Sequence, residues 1–579
     1  MSSRRGVVLL VIALSAVGFL LLVVSLRMRR PAYASSATVL VWDVPATIGE
    51  DQPPPGPFSP RFWRRPRMTV FDVLETLRAA RDDDHVKALV LHVRGINWGW
   101  AKVCEVRDAL REFRQSGKPV YASIEGGGEP EYLLASGSSR IGMPPAASLE
   151  LDGLRASALF LRGTFDKLGV RPNFLSVGRF KSAVESYTRT GMSDPARESM
   201  TALLGDTYDT FLTSLAADRH ASSDSVRAWM DRGPFTAEGA RALELVDSVL
   251  YTADLDSLAM RRAGRGASLL KFPRYASGLG EGGAGPHLAI VTVSGDIGSG
   301  RSRSSPTGGI VAGSETIIEA LQRARTRRSI RAVVLRIDSP GGDADAADAM
   351  WHEVWRLARA KPLVVSMSDL AASGGYYIAV PAQTIVAEPT TITGSIGVFG
   401  GKFNVLGLYQ KLGMNIETVV TGPRAEMLSP FKDFSPEEER IYANQMQGTY
   451  HRFLKLVSDG RHMPVAAVDS VAQGHVWSGA RAVRLGLADQ LGGLEVAIDV
   501  ARKKAGIPKD ADVVIERLPE LEPSFFQRFL GDFFADDDAD EANASALIDA
   551  LAPLRQLGTA AFASRGAIWT LMPYAIVIR

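Results

Sequence analysis

Short runs of β-branched and other apolar residues alternate along this chain with segments whose apolar positions recur at helical spacing. In the second half, the pattern predicts strands at 287–293, 332–337 and 363–367, with helices at 314–325 and 344–360 between them. Strands that alternate with amphipathic helices are typical of stacked β/α units around a largely parallel sheet. The hydrophobic pattern therefore predicts an α/β fold.

The same plan occurs twice along the chain. The run VKALVLHV at 86–93 aligns with IRAVVLRI at 330–337, and the same offset pairs Pro145 with Pro389. One register held across so much sequence indicates an internal duplication. The predicted units are a first repeat at 37–257, a flexible glycine-rich linker at 264–286, a second repeat at 287–505 and a C-terminal extension at 506–579.

The N-terminus contains an uninterrupted apolar stretch. Residues 6–26 carry no charge and are long enough to cross a bilayer as a helix, at about 1.5 Å of rise per residue. Arginines flank the stretch at both ends, so the positive-inside rule does not decide its orientation. The small residues at 32–34 (AYA) resemble a signal-peptide cleavage site, which leaves a removed secretory signal as an alternative. The length of the apolar run and the arginines that follow it favour a retained transmembrane anchor.

The C-terminal extension ends in a second apolar stretch. Residues 567–578 (AIWTLMPYAIVI) are too few to span a bilayer, and Pro573 interrupts them. They could dock on the core, on a partner chain or on the membrane surface. Docking on protein is the interpretation we favour.

Composition narrows the classes of function. The formal net charge of +2 gives no electrostatic support for nucleic-acid binding. Cys104 is the only cysteine, so neither a disulfide framework nor a thiolate metal site is available. We expect this residue to be buried as a small apolar side chain. No metal or cofactor is expected.

One serine lies where a nucleophile is expected. Ser373 follows the predicted strand at 363–367 after a short connection, and Gly374 begins a predicted helix. Free backbone N–H groups and the positive end of a helix dipole at such a position suit the stabilisation of an oxyanion. An ordinary serine cap followed by a glycine turn is the alternative interpretation.

Two further turns of small residues accompany this serine. Gly341 and Gly342, in the sequence SPGG, follow a strand. Glycine lets a backbone approach a ligand closely, so one of their N–H groups could be a second oxyanion donor. Ser395, in TGSIG, could hydrogen-bond a neighbouring catalytic amine. Each motif is also a common tight turn.

A serine hydroxyl needs a base before it can act as a nucleophile. The eight histidines include no obvious triad partner. A lysine can replace histidine where burial lowers its pKa well below the usual value of about 10.4. Lys181 is the best candidate, because it lies among apolar and small residues where the copies diverge, and it aligns with Ala425. Ser373 in turn aligns with Glu129. The first copy therefore keeps the lysine without the serine, and the second keeps the serine without the lysine. This predicts a composite site to which both copies contribute.

Four motifs in this order resemble one known family. They are Lys181-Ser182-Ala183-Val184-Glu185, Ser339-Pro340-Gly341-Gly342, Ala372-Ser373-Gly374-Gly375-Tyr376 and Thr393-Gly394-Ser395-Ile396-Gly397. Residues 37–505 are similar to signal peptide peptidase A, also called protease IV, in its long duplicated form. Ser186 stands where the family pattern has proline, and the segment after residue 505 does not align with that pattern.

The resemblance implies a tandem of duplicated Clp-protease-like (crotonase-like) domains that carry a Ser/Lys dyad. Ser373 would be the nucleophile, Lys181 the general base and Ser395 the hydroxyl that orients the lysine. The dyad would then be assembled from both repeats, and we expect it to form within one chain because the two copies are covalently joined.

The resemblance also implies the oxyanion donors and the setting. Gly374 and one of Gly341 or Gly342 would supply the oxyanion N–H groups. The substrates would be apolar peptides, such as signal peptides left in the membrane. The enzyme would be held in the bacterial cytoplasmic membrane by one span, with its catalytic repeats outside the cytosol. It would form a homo-oligomeric ring or bowl, with a tetramer as one candidate for the number of subunits.

Two other functions fit parts of the sequence. A crotonase-type acyl-CoA hydratase or isomerase would also use strand-end glycine N–H groups to polarise a carbonyl. It would need an acidic catalytic residue and neither Ser373 nor Lys181. A non-catalytic membrane scaffold would need neither residue. Labelling by a serine-directed acylating probe, lost in a Ser373→Ala variant, separates these hypotheses.

Overall fold

The computed structural model describes residues 37–51, 68–279, 285–304, 310–509, 511–519, 568–572 and 578. The predicted membrane anchor at 6–26 lies outside these residues. Among the helices that the structure describes, none is both long and apolar enough to cross a membrane.

Strands and helices alternate along the first repeat, as its hydrophobic pattern predicts. They are β1 (Thr38–Asp43), α1 (Val70–Asp82), β2 (Val86–Val93), α2 (Trp100–Gln115), β3 (Val120–Ile124), α3 (Glu129–Ser136), β4 (Arg140–Met143), β5 (Ser148–Leu149), α4 (Arg162–Leu168), β6 (Arg171–Val177), α5 (Glu185–Thr188), α6 (Asp194–Asp218), α7 (Ser223–Met230), β7 (Phe235–Thr236), α8 (Ala237–Ala242), β8 (Ser248–Val249), α9 (Thr252–Ala263), β9 (Ser268–Lys271) and α10 (Phe272–Ala276).

The second repeat and the C-terminal segment follow the same plan. Their elements are β10 (His287–Ser294), β11 (Asp296–Gly298), β12 (Arg303–Ser304), β13 (Ile310–Gly313), α11 (Ser314–Thr326), β14 (Ile330–Ser339), β15 (Gly341–Asp343), α12 (Ala344–Ala360), β16 (Leu363–Ala372), α13 (Gly374–Ala379), β17 (Thr384–Ala387), β18 (Ile392–Gly394), β19 (Val398–Asn404), α14 (Leu406–Lys411), α15 (Pro436–Arg461), α16 (Val465–Val471), β20 (Val476–Ser478), α17 (Gly479–Arg484), β21 (Gln490–Leu491), α18 (Leu494–Lys504), β22 (Val514–Leu518) and β23 (Ile568–Leu571).

The two repeats build parallel sheets of the same topology. The first sheet has the order β8-β4-β3-β2-β1-β9, and all its strands are parallel. The second has the order β21-β17-β16-β14-β10-β22, also parallel, and β18 and β20 are added at one end of β16. The matching order confirms the predicted duplication of an α/β unit.

Alternate residues of the second sheet face two different cores. In β14, Val333 and Leu335 belong to the core of the second repeat. Ala332 and Val334 belong to a different core, which also contains most of the buried apolar side chains of the first repeat. A fully buried Val or Leu side chain contributes about 1.5–3 kcal/mol relative to its exposed state. Because these strands are apolar on both faces, the two repeats form one continuous packed structure.

The ends of the repeats differ from the predicted boundaries. Part of the predicted linker at 264–286 is ordered structure, because β9 pairs with β1 along the edge of the first sheet. Part of the predicted extension at 506–579 likewise forms β22, which pairs with β10 in the second sheet. Each strand gives an otherwise unpaired strand edge its hydrogen-bond partners. Each repeat therefore continues to its own edge strand, beyond the predicted end.

A third sheet joins the repeats to each other. Its order is β12-β13-β11-β15-β23-β19-β6, and β6 of the first repeat pairs antiparallel with β19 of the second, with Val177 opposite Val398. The C-terminal stretch docks on protein, as we favoured: β23 lies inside this sheet, and the Ile578 carbonyl accepts a hydrogen bond from Trp100 Nε1 at 3.1 Å. This pairing places the segment that follows β6 in the first repeat against the second repeat.

Candidate active site

Ser373 forms the junction between β16 and α13. The strand was predicted to end at 367 but continues to Ala372, because its last residues pair with β18. Ser373 has φ 53° and ψ −111°, a conformation that non-glycine residues rarely adopt and that is often found where a strand turns sharply into a helix to present a nucleophile. Its N–H donates to the Gly394 carbonyl at 2.8 Å, and its carbonyl accepts from Tyr377 N–H at 2.8 Å.

Two glycines bring the Lys181 loop against the second repeat. After β6, the chain turns at Gly178, whose φ is 114°. A Cβ at Gly178 would lie 2.5 Å from the Gln473 carbonyl carbon, and one at Gly474 would lie 2.5 Å from Lys181 N. The Phe180 N–H then donates to the Gln473 carbonyl at 2.7 Å. Only glycine allows this approach of two backbones, which directs Lys181 into the protein.

The Lys181 amine meets three oxygen atoms. Its Nζ lies 2.8 Å from Ser373 Oγ, 2.9 Å from Ser395 Oγ and 2.9 Å from the Ser395 carbonyl oxygen. The side chain is buried, and burial lowers the pKa of Lys181 well below its ordinary value. A neutral amine has two N–H donors and one lone pair. If the neutral amine donates one N–H to the Ser395 carbonyl and the other to Ser395 Oγ, its lone pair is left for the Ser373 hydroxyl.

Ser395 lies on the turn between β18 and β19. It also has a positive φ, 50°, and its N–H donates to the His475 carbonyl at 2.7 Å. The His475 ring stacks on Trp477 with centroids 3.6 Å apart, and its Nδ1 lies 2.8 Å from the Val476 carbonyl. This histidine thus contributes its backbone and its ring packing to the site, and Lys181 is the basic group beside Ser373.

The glycines proposed as oxyanion donors lie around the start of α13. Gly374 is the first residue of that helix, where N–H groups have no intrahelical acceptor. Gly341 has φ 100°, and its N–H donates to Ser339 Oγ at 3.2 Å. Gly342 faces β11, and a Cβ there would lie 2.0 Å from the Ile297 carbonyl oxygen. The strand with the glycine pair and the helix with Ser373 pack together, since a Cβ at Gly375 would lie 2.7 Å from the Ser339 carbonyl oxygen.

The first repeat uses the position equivalent to Ser373 differently. Glu129 is buried at the start of α3, and its carboxylate accepts hydrogen bonds from Asp152 N–H at 3.0 Å and Gly153 N–H at 2.7 Å. The side chain therefore holds a neighbouring loop. Ala425, the counterpart of Lys181, lies in a turn closed by its N–H bond to the Gly422 carbonyl.

Sequence reasoning missed Lys102, which lies on α2 of the first repeat and contacts both loops of the site. Its Nζ lies 2.6 Å from Asp338 Oδ2 and 2.8 Å from Asp369 Oδ2. Asp338 immediately precedes the SPGG turn, and Asp369 lies on β16, which ends immediately before Ser373. The only signal in the sequence is a lysine in the run WAKVCEV, which is apolar apart from Lys102 and Glu105, and it does not indicate which groups the lysine contacts.

The Asp369 carboxylate also caps α2 from the other repeat. Its Oδ1 accepts the Lys102 N–H at 3.1 Å, within the first turn of the helix. Gly99, at the N-cap, has no side chain to do this, and a Cβ there would lie 2.0 Å from the Asp369 carboxyl carbon. A carboxylate at a helix N-terminus satisfies free N–H groups and interacts favourably with the helix dipole.

A buried cluster of charges continues from this point between the repeats. Arg336 donates to Glu50 Oε2 at 2.9 Å, Glu50 Oε1 at 2.8 Å and Glu105 Oε2 at 2.6 Å. Burial raises the pKa of Glu50, but Arg336 and Lys102 outweigh it and lower that pKa to about 2. Burial raises the pKa of Glu105, and Arg336 opposes the rise. Removal of one partner from such a cluster leaves an uncompensated buried charge, which costs about 3–5 kcal/mol.

The described residues contain no group of three or more His, Cys, Asp or Glu side chains placed to hold a metal ion. Cys104 is buried, and burial raises the pKa of its thiol far above the ordinary value. Its Sγ lies 3.8 Å from Thr390 Oγ1. The cysteine is thus a packed side chain.

The chain as a whole is similar to known proteins. The model of peptidase family S49 matches residues 112–265 and 356–508, one match in each repeat. "Serine protease SPPA, chloroplastic" of Arabidopsis thaliana is 34% identical over 461 residues, which is 78% of this chain and 68% of the relative. "Protease 4" of Salmonella typhi is 34% identical over 76% of this chain and 72% of the relative. "Protease 4" of Haemophilus influenzae is 32% identical over 77% and 75%.

Proposed function

We propose that this chain cuts apolar peptides with Ser373 as nucleophile and Lys181 as general base. The chain belongs to peptidase family S49, in its long duplicated form, and is a serine endopeptidase. One observation carries the assignment of the dyad: Lys181 Nζ lies 2.8 Å from Ser373 Oγ in a buried position. Among the residues that the structure describes, no carboxylate forms an ion pair with Lys181, and burial lowers its pKa, which favours the free amine, the form that can accept a proton.

The proposed reaction follows from this geometry. The neutral Lys181 amine takes the Ser373 proton as Oγ attacks the substrate carbonyl, and the resulting ammonium returns the proton to the leaving amine. Ser395 holds the amine in position through its hydroxyl and its carbonyl. The acyl-enzyme is then hydrolysed by water, which gives its proton to the same amine, and the ammonium passes that proton to Ser373 Oγ as the acyl group leaves.

Backbone N–H groups would stabilise the oxyanion in both steps. We assign this role to Gly374 and to one of Gly341 or Gly342, which lie where the end of the SPGG strand meets the start of α13. Loss of one such donor costs about 10²–10³-fold in kcat in serine proteases. Because these donors are backbone groups, a side-chain substitution at Ser373 leaves them in place.

The cellular setting is part of the proposal. Residues 6–26 would anchor the protein in the bacterial cytoplasmic membrane, with the repeats outside the cytosol, where membrane-retained signal peptides are accessible. Copies of the chain would assemble into a homo-oligomeric ring or bowl. A reporter that is active only in the cytoplasm, fused to the C-terminus, should be silent, and an active reporter would contradict the orientation.

A labelling experiment tests the dyad. A fluorophosphonate probe should label the full-length protein, and Ser373→Ala should abolish both labelling and peptide hydrolysis without unfolding, because the change removes one oxygen atom. Ser470→Ala, at an exposed serine on α16, is the matched control and should label normally. Hydrolysis at the wild-type rate by folded Ser373→Ala would eliminate the proposal.

A further inference from the structure

One short segment of the second repeat contacts both loops that hold the lysine amine. On one side, the Gln473 carbonyl accepts a hydrogen bond from the N–H of Phe180, the residue before Lys181, at 2.7 Å. On the other side, the His475 carbonyl accepts the Ser395 N–H, also at 2.7 Å. The segment therefore holds the lysine loop of the first repeat against the turn that contains Ser395.

The His475 ring adds a second contact between the same two parts of the protein. It stacks on the Trp477 ring, with centroids 3.6 Å apart and planes within 6° of parallel, and its centroid lies 4.4 Å from that of Phe180. Aromatic rings at such distances pack favourably in defined orientations. Because Phe180 belongs to the first repeat and the other two rings to the second, the stack joins the repeats directly beside Lys181.

The nitrogen atoms of this ring take no part in the dyad. Nδ1 of His475 lies 2.8 Å from the Val476 carbonyl oxygen, and since a carbonyl only accepts, Nδ1 carries a proton and donates it. Burial lowers the pKa of His475, which favours the neutral ring. Within the part of the chain that the structure describes, neither ring nitrogen hydrogen-bonds to Lys181 or Ser373. The imidazole therefore acts at this site through its shape.

The backbone next to the ring packs directly on the lysine. A Cβ at Gly474 would lie 2.5 Å from Lys181 N, and a Cβ at Gly397 would lie 3.0 Å from Gly474 Cα and 3.1 Å from Lys181 Cδ. These contacts leave no space for a water molecule between the segment and the lysine. Because burial is the cause of the low Lys181 pKa, this exclusion of water is part of what keeps the amine neutral.

We propose that His475 is a positioning residue of the dyad. Its ring holds the loop that carries Lys181 by packing on Phe180, and its carbonyl holds the turn that carries Ser395. Together these contacts keep the amine beside the nucleophile and keep water away from it. This inference rests on the proposed function, and it implies that another flat ring of similar size can replace the imidazole.

The test measures kcat, KM and the pH dependence of kcat/KM in the full-length protein and in two variants. His475→Ala removes the ring, so kcat should fall by about 10²-fold with little change in KM, because a displacement of about 1 Å can cost that much. Water would then reach Lys181 and raise its pKa towards the ordinary value, so the midpoint of the rising limb of kcat/KM should move to higher pH. His475→Phe keeps a ring and should recover most of the lost kcat and the wild-type midpoint.

Two further variants provide the control and an independent route to the same contact. His352→Ala makes the same change at an exposed histidine, which stacks on Trp355 with centroids 6.0 Å apart, and should leave kcat and the midpoint unchanged. Phe180→Ala removes the other ring of the contact and should move the midpoint in the same direction as His475→Ala. The double variant His475→Ala/Phe180→Ala should be no slower than the slower single variant, because both changes remove one interaction.

The outcomes separate this inference from the proposed function. An unmoved midpoint in folded His475→Ala, or a His475→Phe enzyme as slow as His475→Ala, would overturn the positioning role. If His475→Ala does not fold, the midpoint of Phe180→Ala decides: a shift to higher pH supports the role, and an unmoved midpoint overturns it. Absence of fluorophosphonate labelling in the wild type would instead overturn the proposed function.

Discussion

Lys102→Met tests whether the first repeat holds the catalytic loops of the second. Methionine keeps most of the side-chain volume but removes the cation that lies 2.6 Å from Asp338 and 2.8 Å from Asp369. Breaking a buried ion pair on one side costs about 3–5 kcal/mol, because the remaining charges have no partner. For a unit the size of one repeat, we therefore expect Tm to fall by about 10 °C.

The pH dependence of this loss has a definite sign. Burial raises the pKa of Asp338, and in the wild type Lys102 opposes that rise. Without the lysine the pKa of Asp338 rises further, so the folded variant binds a proton that the unfolded chain releases. The free energy of unfolding then falls as pH rises above the ordinary carboxyl pKa of about 3.9. The Tm difference from wild type should be larger at pH 8 than at pH 5.

Activity is measured at pH 8, because low pH would also protonate Lys181. Lys102→Met moves the loops that carry Ser373 and the SPGG glycines, and a displacement of about 1 Å can cost about 10²-fold in rate. We expect this loss in kcat, with a smaller change in KM. Lys102→Met/Asp369→Asn removes one of the two buried charges and should recover much of the Tm and part of kcat. Wild-type Tm and kcat in Lys102→Met at pH 8, or no recovery in the double variant, would refute the reasoning.

Three further predictions concern Lys181 and its neighbours. Lys181→Arg should abolish hydrolysis as completely as Lys181→Ala, because a guanidinium cannot release its proton at usable pH. Measurable steady-state hydrolysis by folded Lys181→Arg would remove Lys181 from the mechanism. Burial lowers the Lys181 pKa, so kcat/KM should rise with pH through a midpoint well below about 10.4, and Ser395→Ala should move that midpoint while leaving probe labelling of Ser373 measurable. Gly474→Ala should lower both Tm and activity, since its φ is 75° and the added Cβ would lie 2.5 Å from Lys181 N; a crystal structure of an active Gly474→Ala protein with the Lys181 loop unmoved would contradict this.

Much of this fold could be predicted because it follows from local periodicity. The predicted helix at 344–360 has the observed bounds of α12, whose start is fixed by its Asp343 cap, and β14 extends the predicted strand by two residues at each end. The comparison of the two copies also singled out Ser373 and Lys181, which the structure places 2.8 Å apart. These inferences needed only the order of apolar residues and the places where the copies differ.

The remaining features depend on contacts that are distant in sequence. β9 and β22 are short, and each is a strand because an edge of a sheet lies next to it. Lys102 has an ordinary side chain for a helix, and its importance comes from two carboxylates of the other repeat. Residues 568–572 are apolar, which predicted docking on protein but could not identify the sheet that they join.

The shared sheet has a consequence for biosynthesis. Lys181 and Ser373 are 192 residues apart in sequence, and they meet only after β6 has paired with β19. Contacts of such long range form late, because the loop between them must first be ordered. With the dyad proposed above, a nascent chain that has left the ribosome as far as the first repeat would carry a base without a nucleophile. Activity of the proposed dyad would then begin only after translation has passed residue 404.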